Sequence, residues 1–267
     1  MQGNDDDGMR AFYDRLSADY HLVLVDWERA IRRQGEVLDR LIRAERRGAA
    51  GAAASAAEVL DCACGIGTQA LGLAALGHRV TASDLSAAAV ARAEAEAARR
   101  GLRLSFRVAD MRELADAVPG AFDVVLAADN ALPHLLREAD LRRAARAMAG
   151  KLRPGGLLLA SIRDYDEALA RRPTATEPVF ATHNGGRRRI VHQVWEWLDE
   201  RAYRVHLHIT REAPEGGWRC DHHVGRYRAL CRDELTGYLR EAGLADVRWL
   251  MPAESGYYQP IVVARRP

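Results

Sequence analysis

The segment Asp61-Cys62-Ala63-Cys64-Gly65-Ile66-Gly67-Thr68 holds the residue types with the most chemistry to offer. An apolar run, Glu58 to Cys62, precedes it, and a helix-like stretch to about Leu76 follows. Glycines at such a turn let a ligand approach the backbone closely. The first N–H groups of the following helix attract an anionic group. Asp84 ends the next apolar run, nineteen residues after Gly65, with Leu85 beside it. An acid at that place accepts hydrogen bonds from ribose hydroxyls. Together these predict a nucleoside cofactor held by Asp61, Ala63, Gly65, Gly67, Asp84 and Leu85. Gly65-x-Gly67-x-x-Ala70 also fits a dinucleotide fingerprint, but Asp61 would then face a pyrophosphate at close range. The ammonium and sulfonium of S-adenosylmethionine (SAM) instead favour a nearby carboxylate. Asp110-Met111 follow the third apolar run; there an Asp can accept from an adenine amino group while the Met covers the ring. A turn-capping Asp61 or an N-capping Asp84 would explain either residue alone, but not their conjunction.

A second group sits further along. Asp129, Asn130 and His134 follow the fourth apolar run, and Arg163 follows the fifth. Ligands of open α/β sheets bind outside the carboxyl ends of the strands, so these side chains are expected to share one crevice. An Arg suits a carboxylate because its planar fork donates two parallel hydrogen bonds. His134 is a candidate proton acceptor, with a satisfied wall residue as the alternative. Asn130 could instead cap a loop, and Arg163 could pair with Asp164 or Asp166. Trp195 and Trp197 share a strand face by alternation; with Tyr203, Trp218 and Tyr227 they would either pack the region onto the core or form a flat aromatic pocket. His206 and His208 also share a face, but no carboxylate or cysteine obviously completes a metal site. Cys62-x-Cys64 lacks the CxxC spacing of zinc knuckles. No metal is expected.

These side chains need a scaffold that brings strand ends together. The pattern supplies one: two helices over Met9–Tyr20 and Asp26–Arg46, an Ala-rich connector over Gly48–Ala57, and then strands alternating with helices. Such alternation predicts a parallel sheet covered on both faces. Ser86 is of a type that opens a helix as N-cap and Gly101 of a type that stops one. Pro154-Gly155-Gly156 reads as a turn before a fifth strand, Leu157–Ile162. After Asp166 the rhythm becomes β-type, with about three antiparallel strands over Arg188–Leu198, Tyr203–Thr210 and Trp218–Leu230. A helix and two strands close the chain. The predicted division is a flexible tail 1–8, an N-terminal helical lid 9–47, an α/β domain 56–166 plus 231–267, and an antiparallel insertion 167–230.

Composition narrows the partners. The 267 residues are 48% hydrophobic and 28% charged with a net charge of +2. That balance excludes an intrinsically disordered chain and argues against nucleic acid as the main partner. The run Arg187-Arg188-Arg189 is the one feature favouring RNA. No apolar run reaches the ~20 residues of a membrane helix, and the polar start is unlike a signal peptide. Four cysteines are too few for a disulfide scaffold, so a cytoplasmic location is expected. No patch reads as an interface, which leaves a homo-oligomer open.

The chain resembles the class I SAM-dependent methyltransferases, from about Tyr13 to its end, through the motif Asp61–Thr68. Within them it is most similar to the glycine/sarcosine N-methyltransferases. The segments that carry this are Asp129–Leu135, Leu152–Leu158, Arg163–Asp166, Tyr13-Asp14 and Tyr20–Trp27. The resemblance implies a Rossmann-like sheet with an antiparallel last strand, N-terminal helices folded over SAM, and the insertion roofing the substrate. It further implies that Tyr20, Trp27 and either Arg32 or Arg33 contact SAM, with Asp129 beside them, and that Asn130 and Arg163 bind the carboxylate of an amino-acid substrate. Tyr165, Trp195 and Tyr227 then complete the substrate pocket, with Tyr20 and His134 near the reacting atoms. One departure stands out: the tandem Tyr pair of the glycine enzymes is not matched around Tyr227. The expected activity is methyl transfer to a small molecule, an amine or amino-acid-like compound, or alternatively the C- or N-methylation of an indole or other aromatic secondary metabolite.

Overall fold

A computed structural model describes residues 3–50, 56–183 and 186–267. Helix α1 (Gly3–Leu16) begins inside the expected tail, so most of residues 1–8 is helical backbone. The helix stops four residues short of the expected end, and Tyr20–Val23 forms a separate 3-10 turn. Helix α2 (Trp27–Ala50) follows and absorbs the start of the Ala-rich connector; residues 51–55 of that connector lie outside the described residues.

The α/β domain runs β1 (Glu58–Asp61), α3 (Thr68–Ala75), β2 (Arg79–Asp84), α4 (Ala87–Arg99), β3 (Ser105–Val108), α5 (Leu114–Ala117), β4 (Phe122–Ala127), α6 (Glu138–Lys151), β5 (Leu152–Ser161) and α7 (Tyr165–Arg171). Ser86 caps α4 by accepting from the Ala89 amide. The expected Pro-Gly-Gly turn is absorbed into β5, where the register with β4 slips between Phe122 and Val124. The insertion has four strands rather than three: β6 (Val179–His183), β7 (Arg187–Trp197), β8 (Ala202–Glu212) and β9 (Trp218–Arg228). The extra strand is a short edge strand, which alternation alone marks poorly. Helix α8 (Arg232–Glu241), β10 (Ala245–Leu250), α9 (Pro252–Ser255) and β11 (Ile261–Arg265) complete the chain.

The main sheet has the order β10-β11-β5-β4-β1-β2-β3. β1 to β5 are parallel, and β11 is antiparallel to both neighbours. Alternating strand residues face two cores. Leu60, Val125, Leu158 and Val262 pack with Leu141 and Met148 of α6 and Leu235 of α8. Val59, Val124, Leu157 and Val263 pack with Leu38 and Ile42 of α2 and Leu73 of α3. Helices α2 and α3 touch through glycines: a Cβ on Gly72 would lie 2.4 Å from the Ile31 carbonyl oxygen and 2.9 Å from the Gly35 Cα. That close approach fixes how α2 is rotated.

The four-stranded sheet has an inner and an outer face. Trp195, Tyr203, Val205, Leu207, Ile209 and Tyr227 are buried on the inner face. By the pairing register, His192, His206, His208 and His222 lie on the outer one. The N-terminal segment is strapped between domain and insertion. Arg189 donates to the carbonyls of Leu22, Leu24 and Val25, Arg211 pairs with Asp19, and Arg92 of α4 bonds the carbonyls of Ser17 and Ala18. Arg188 pairs with Glu212, so two of the three arginines in the basic run are occupied by the fold itself.

Candidate active site

At the carboxyl edge of β1, Gly65 (φ 52°) and Gly67 (φ 93°) adopt left-handed backbone, which glycine takes without penalty. A Cβ at Gly65 would meet nothing within 4 Å, so the turn borders open space. Gly67 acts differently: it opens α3 and does not face the groove. Asp84 holds the turn, its two carboxylate oxygens accepting from the amides of Gly65 and Ser86 at 2.9 Å each. Each oxygen keeps a second lone pair for a ribose hydroxyl. Burial raises the pKa of Asp84.

The groove encloses about 890 Å³ with its mouth. Ala63, Gly65, Asp84, Leu85, Asp110 and Met111 line one side, and Tyr13, Tyr20 and Asp129 the other. Asp61 lies just beneath it. Its Oδ1 accepts from the Ala63 amide at 3.3 Å, while Oδ2 is buried with no partner. Burial, with Asp84 nearby, lifts the Asp61 pKa to about 7. An unmatched buried carboxylate oxygen beside an open glycine turn is what a cationic nucleoside would complete. The residues therefore fit SAM: Asp61 for its charged end, Asp84 for its ribose, Asp110 and Met111 for its base. Asp110 is also gripped by Arg112, which donates to both its oxygens at 3.0 Å.

Two residues expected at the cofactor stand away from the groove. Arg33, like Arg32, is solvent-exposed, because the Gly35–Gly72 contact turns Gln34, Gly35 and Leu38 inward and leaves Arg33 outside. Trp27 is buried and is not part of the groove wall; its Nε1 donates to Thr68 Oγ1 at 2.9 Å, and Arg92 and Arg100 lie over its ring. Tyr20 does reach the site, donating to Asp129 Oδ2 at 3.2 Å.

Beyond Asp129 a chamber of about 780 Å³, including its mouth, opens under the insertion. Tyr13, Tyr20 and Asp129 line groove and chamber alike, so the two spaces meet there. Asp129 (φ 57°) and Asn130 (φ 66°) are both left-handed. The Asp129 amide donates to Ser161 Oγ at 2.8 Å and the Asn130 amide to the Ser161 carbonyl at 3.1 Å, which aims both side chains into the cavity. The Asp129 carboxylate accepts from Tyr20 and Tyr258. Burial raises its pKa, partly offset by Tyr258, Arg163 and Tyr20.

Arg163 closes the far side. It donates to the Tyr203 hydroxyl and to Gln193 Oε1, both at 3.2 Å, and lies 4.9 Å over the Trp195 ring and 5.5 Å over that of Tyr227. Burial works against its charge, the phenols of Tyr203, Tyr165 and Tyr227 favour it, and the balance raises its pKa. Arg163 forms no ion pair among the described residues, so the expected alternative of pairing with Asp164 or Asp166 is not realised; those two meet Arg232. Next to it Asn130 Oδ1 accepts from the Arg163 amide at 3.0 Å, while its buried Nδ2 has no partner.

Tyr227 lines the chamber, whereas Trp195 and Tyr165 do not. Trp195 stacks on Tyr203 at 4.5 Å and donates to Gln193; the Tyr165 hydroxyl meets that of Tyr203 at 2.8 Å. Both stand behind Arg163 as supports, since the inner sheet face is filled by its own aromatic stack. His134 takes a hydrogen bond from the Tyr13 hydroxyl at Nε2, 2.6 Å away, and its ring also bonds the Arg226 backbone. Burial depresses its pKa to about 3. Tyr13, Gln193 and Tyr258 were not singled out as site residues. Tyr258 had a usable signal: the loop before an antiparallel last strand must lie at the carboxyl edge of its neighbour.

Residues 59–156 match the family described as "Methyltransferase domain". A glycine/sarcosine N-methyltransferase of Parasynechococcus marenigrum is 32% identical over 146 residues, 55% of this chain and 49% of that protein. A ubiquinone biosynthesis O-methyltransferase of Caulobacter vibrioides is 35% identical over 141 residues, 52% and 54% respectively. The chain thus spans about half the length of the curated relatives it matches. In fold it is similar to an amino pentose methyltransferase of Micromonospora echinaspora solved with SAM bound, at 22% identity and a TM-score of 0.69 over 89% of this chain and 92% of that one. Strand order, glycine turn, acidic residues and domain match agree: residues 59–156 belong to a methyltransferase domain of the class I SAM-dependent fold, and SAM is the cofactor its site fits.

Proposed function

We propose that the chain transfers the methyl group of SAM to the nitrogen of a small amine that bears an anionic group, an amino-acid-like substrate. One observation carries this reading. At the far wall of the chamber, the Arg163 guanidinium without a carboxylate and Asn130 Nδ2 without a partner stand together. A buried positive charge with only neutral hydrogen-bond partners, beside one unmatched donor, calls for an anionic acceptor. The glycine/sarcosine N-methyltransferase relative supports the choice of nitrogen.

SAM supplies an electrophilic methyl group on a sulfonium. The protein's task is to align the nucleophile, exclude water and take up a proton. Arg163 and Asn130 fix the anionic end of the acceptor. Tyr20 and Tyr258 hold Asp129 where groove and chamber meet, and burial makes that carboxylate a better base. Asp129 is therefore the group that holds the proton lost by the amine. His134, with its basicity depressed, serves as an acceptor that fixes Tyr13. Phe12, Tyr13, Tyr20 and Tyr227 give the chamber aromatic walls, which favours a flat aromatic acceptor as the second reading.

The test is methyl transfer from labelled SAM, followed by mass spectrometry, to glycine, sarcosine and other amino acids, to their methyl esters, and to indole amines. Turnover on the acids that is lost on the esters supports the proposal. Turnover confined to acceptors without a carboxylate overturns it in favour of the aromatic reading.

A further inference from the structure

The outer face of the insertion sheet carries a group that plays no part in the chamber. His192 pairs with His208, and His208 with His222, across three neighbouring strands. The rings form a continuous parallel array: His192 on His208 at 4.9 Å, His208 on His222 at 4.6 Å, and His222 beside His206 at 5.2 Å. Four neighbouring imidazoles, three of them in register, on a solvent-facing sheet surface are not needed for packing, since the core lies on the other face.

Within the array one pair has a donor arrangement suited to a ligand. Nδ1 of His206 and Nε2 of His222 share a hydrogen bond of 3.0 Å, so an ion bound between them would replace the proton on one of the two nitrogens. Two nitrogens each about 2.0–2.1 Å from one metal ion, at angles between square-planar and tetrahedral, stand about 2.8–3.4 Å apart. The opposite nitrogen of His206, Nε2, lies 3.3 Å from Glu196 Oε2, and Arg204 in turn holds that carboxylate at 2.6 Å. A carboxylate on the far nitrogen keeps the proton there, leaves Nδ1 as a lone pair and orients the ring, which is how metal-binding histidines are supported. Among the described residues no three His, Cys, Asp or Glu side chains converge on one point, so two nitrogens and water would make up the shell. Half-exposed rings give an ion direct access from solvent.

We propose that His206 and His222, oriented by Glu196, form a binding site for one divalent transition-metal ion of the kind that favours imidazole, such as Zn²⁺ or Ni²⁺. The ion links β8 to β9 on the face opposite the chamber, and methyl transfer does not depend on it.

The experiment uses the full chain without an affinity tag, stripped with a chelator and then titrated with Ni²⁺ and Zn²⁺ against a chromophoric competitor. One ion per chain is expected. His206→Gln and His222→Gln should each weaken it about 10-fold or more, and Glu196→Gln several-fold. His192→Gln, which removes the array's end without touching the pair, should stay within about twofold. SAM affinity, unchanged in all four variants, reports that each is folded. No stoichiometric binding by the unmodified chain would overturn the proposal, and so would binding that survives both His206→Gln and His222→Gln.

Discussion

The Tyr13 hydroxyl lies 2.6 Å from Nε2 of His134, joining the first helix to the loop after β4. Burial, with Tyr227 and Tyr20 nearby, raises the pKa of Tyr13 well above the usual value. Both partners therefore stay neutral at any working pH: His134 titrates near 3, and the phenol far above neutrality. At saturating SAM, which removes the Asp61 effect on cofactor binding, the rate–pH profile should show no limb from His134 near 6.5, where a free imidazole titrates. Tyr13→Phe should reduce kcat by less than about 10-fold, because it removes a support and not the base. Asp129→Asn should reduce it by about 100-fold or more. A loss in Tyr13→Phe as large as that in Asp129→Asn would move the base to the Tyr13–His134 pair.

Asp61 predicts a pH dependence of cofactor binding. Its pKa is held near 7 by burial, and a bound cation favours the ionised carboxylate. Below pH 7 the free protein carries the proton that binding must release, so SAM affinity should fall with pH, by up to about 10-fold per unit. Above pH 7 this contribution should flatten. Isothermal titration between pH 5.5 and 8.5 measures it, and Asp61→Asn should bind SAM weakly with a flat profile over the acidic range.

Arg163→Gln keeps two donors but removes the charge. For acceptors with a carboxylate, KM should rise about 10- to 100-fold, as expected for the loss of a charge-assisted pair, while SAM affinity stays unchanged. Equal losses on charged and neutral acceptors would take the anion away from Arg163. Gln193→Leu should give a smaller effect in the same direction, because Gln193 bonds both Arg163 and Trp195.

The α2–α3 contact makes a prediction about stability alone. Gly72→Ala places a Cβ against the Ile31 carbonyl and Gly35, and neither can move without shifting a helix. A loss of about 1–3 kcal/mol is expected, read as a lower urea midpoint. Gly237→Ala, inside α8 where a Cβ meets nothing within 4 Å, is the comparison without a clash and should stabilise by up to about 1 kcal/mol.

The parts of this site that sequence reading reached are those where chemistry and local structure coincide. The Gly65 turn, Asp84 at the end of β2 and Asp110 after β3 follow from the βα rhythm, because each sits at a fixed offset from its own strand. Strand alternation likewise puts Trp195 on the inner face and the histidines on the outer one. What it could not reach depends on packing between distant segments. Arg33 lies one residue from the buried Gln34, and only the Gly35–Gly72 contact decides which of them turns outward. Trp195 faces the right way, yet Arg163 intervenes between it and the chamber. Tyr13 meets a residue 121 positions away, and no local pattern announces that.

Asp129 and Asn130 leave one consequence for engineering. Two adjacent non-glycine residues in left-handed backbone cost about 1 kcal/mol or more each relative to glycine. The cost is borne at the junction of groove and chamber, where the side chains are needed. Asn130→Gly should relax the backbone while deleting the amide beside Arg163. Screens that select only for heat resistance would be drawn to this position and would return sturdier, idle proteins. Thermostabilised libraries of this chain are best built with residues 129 and 130 held fixed.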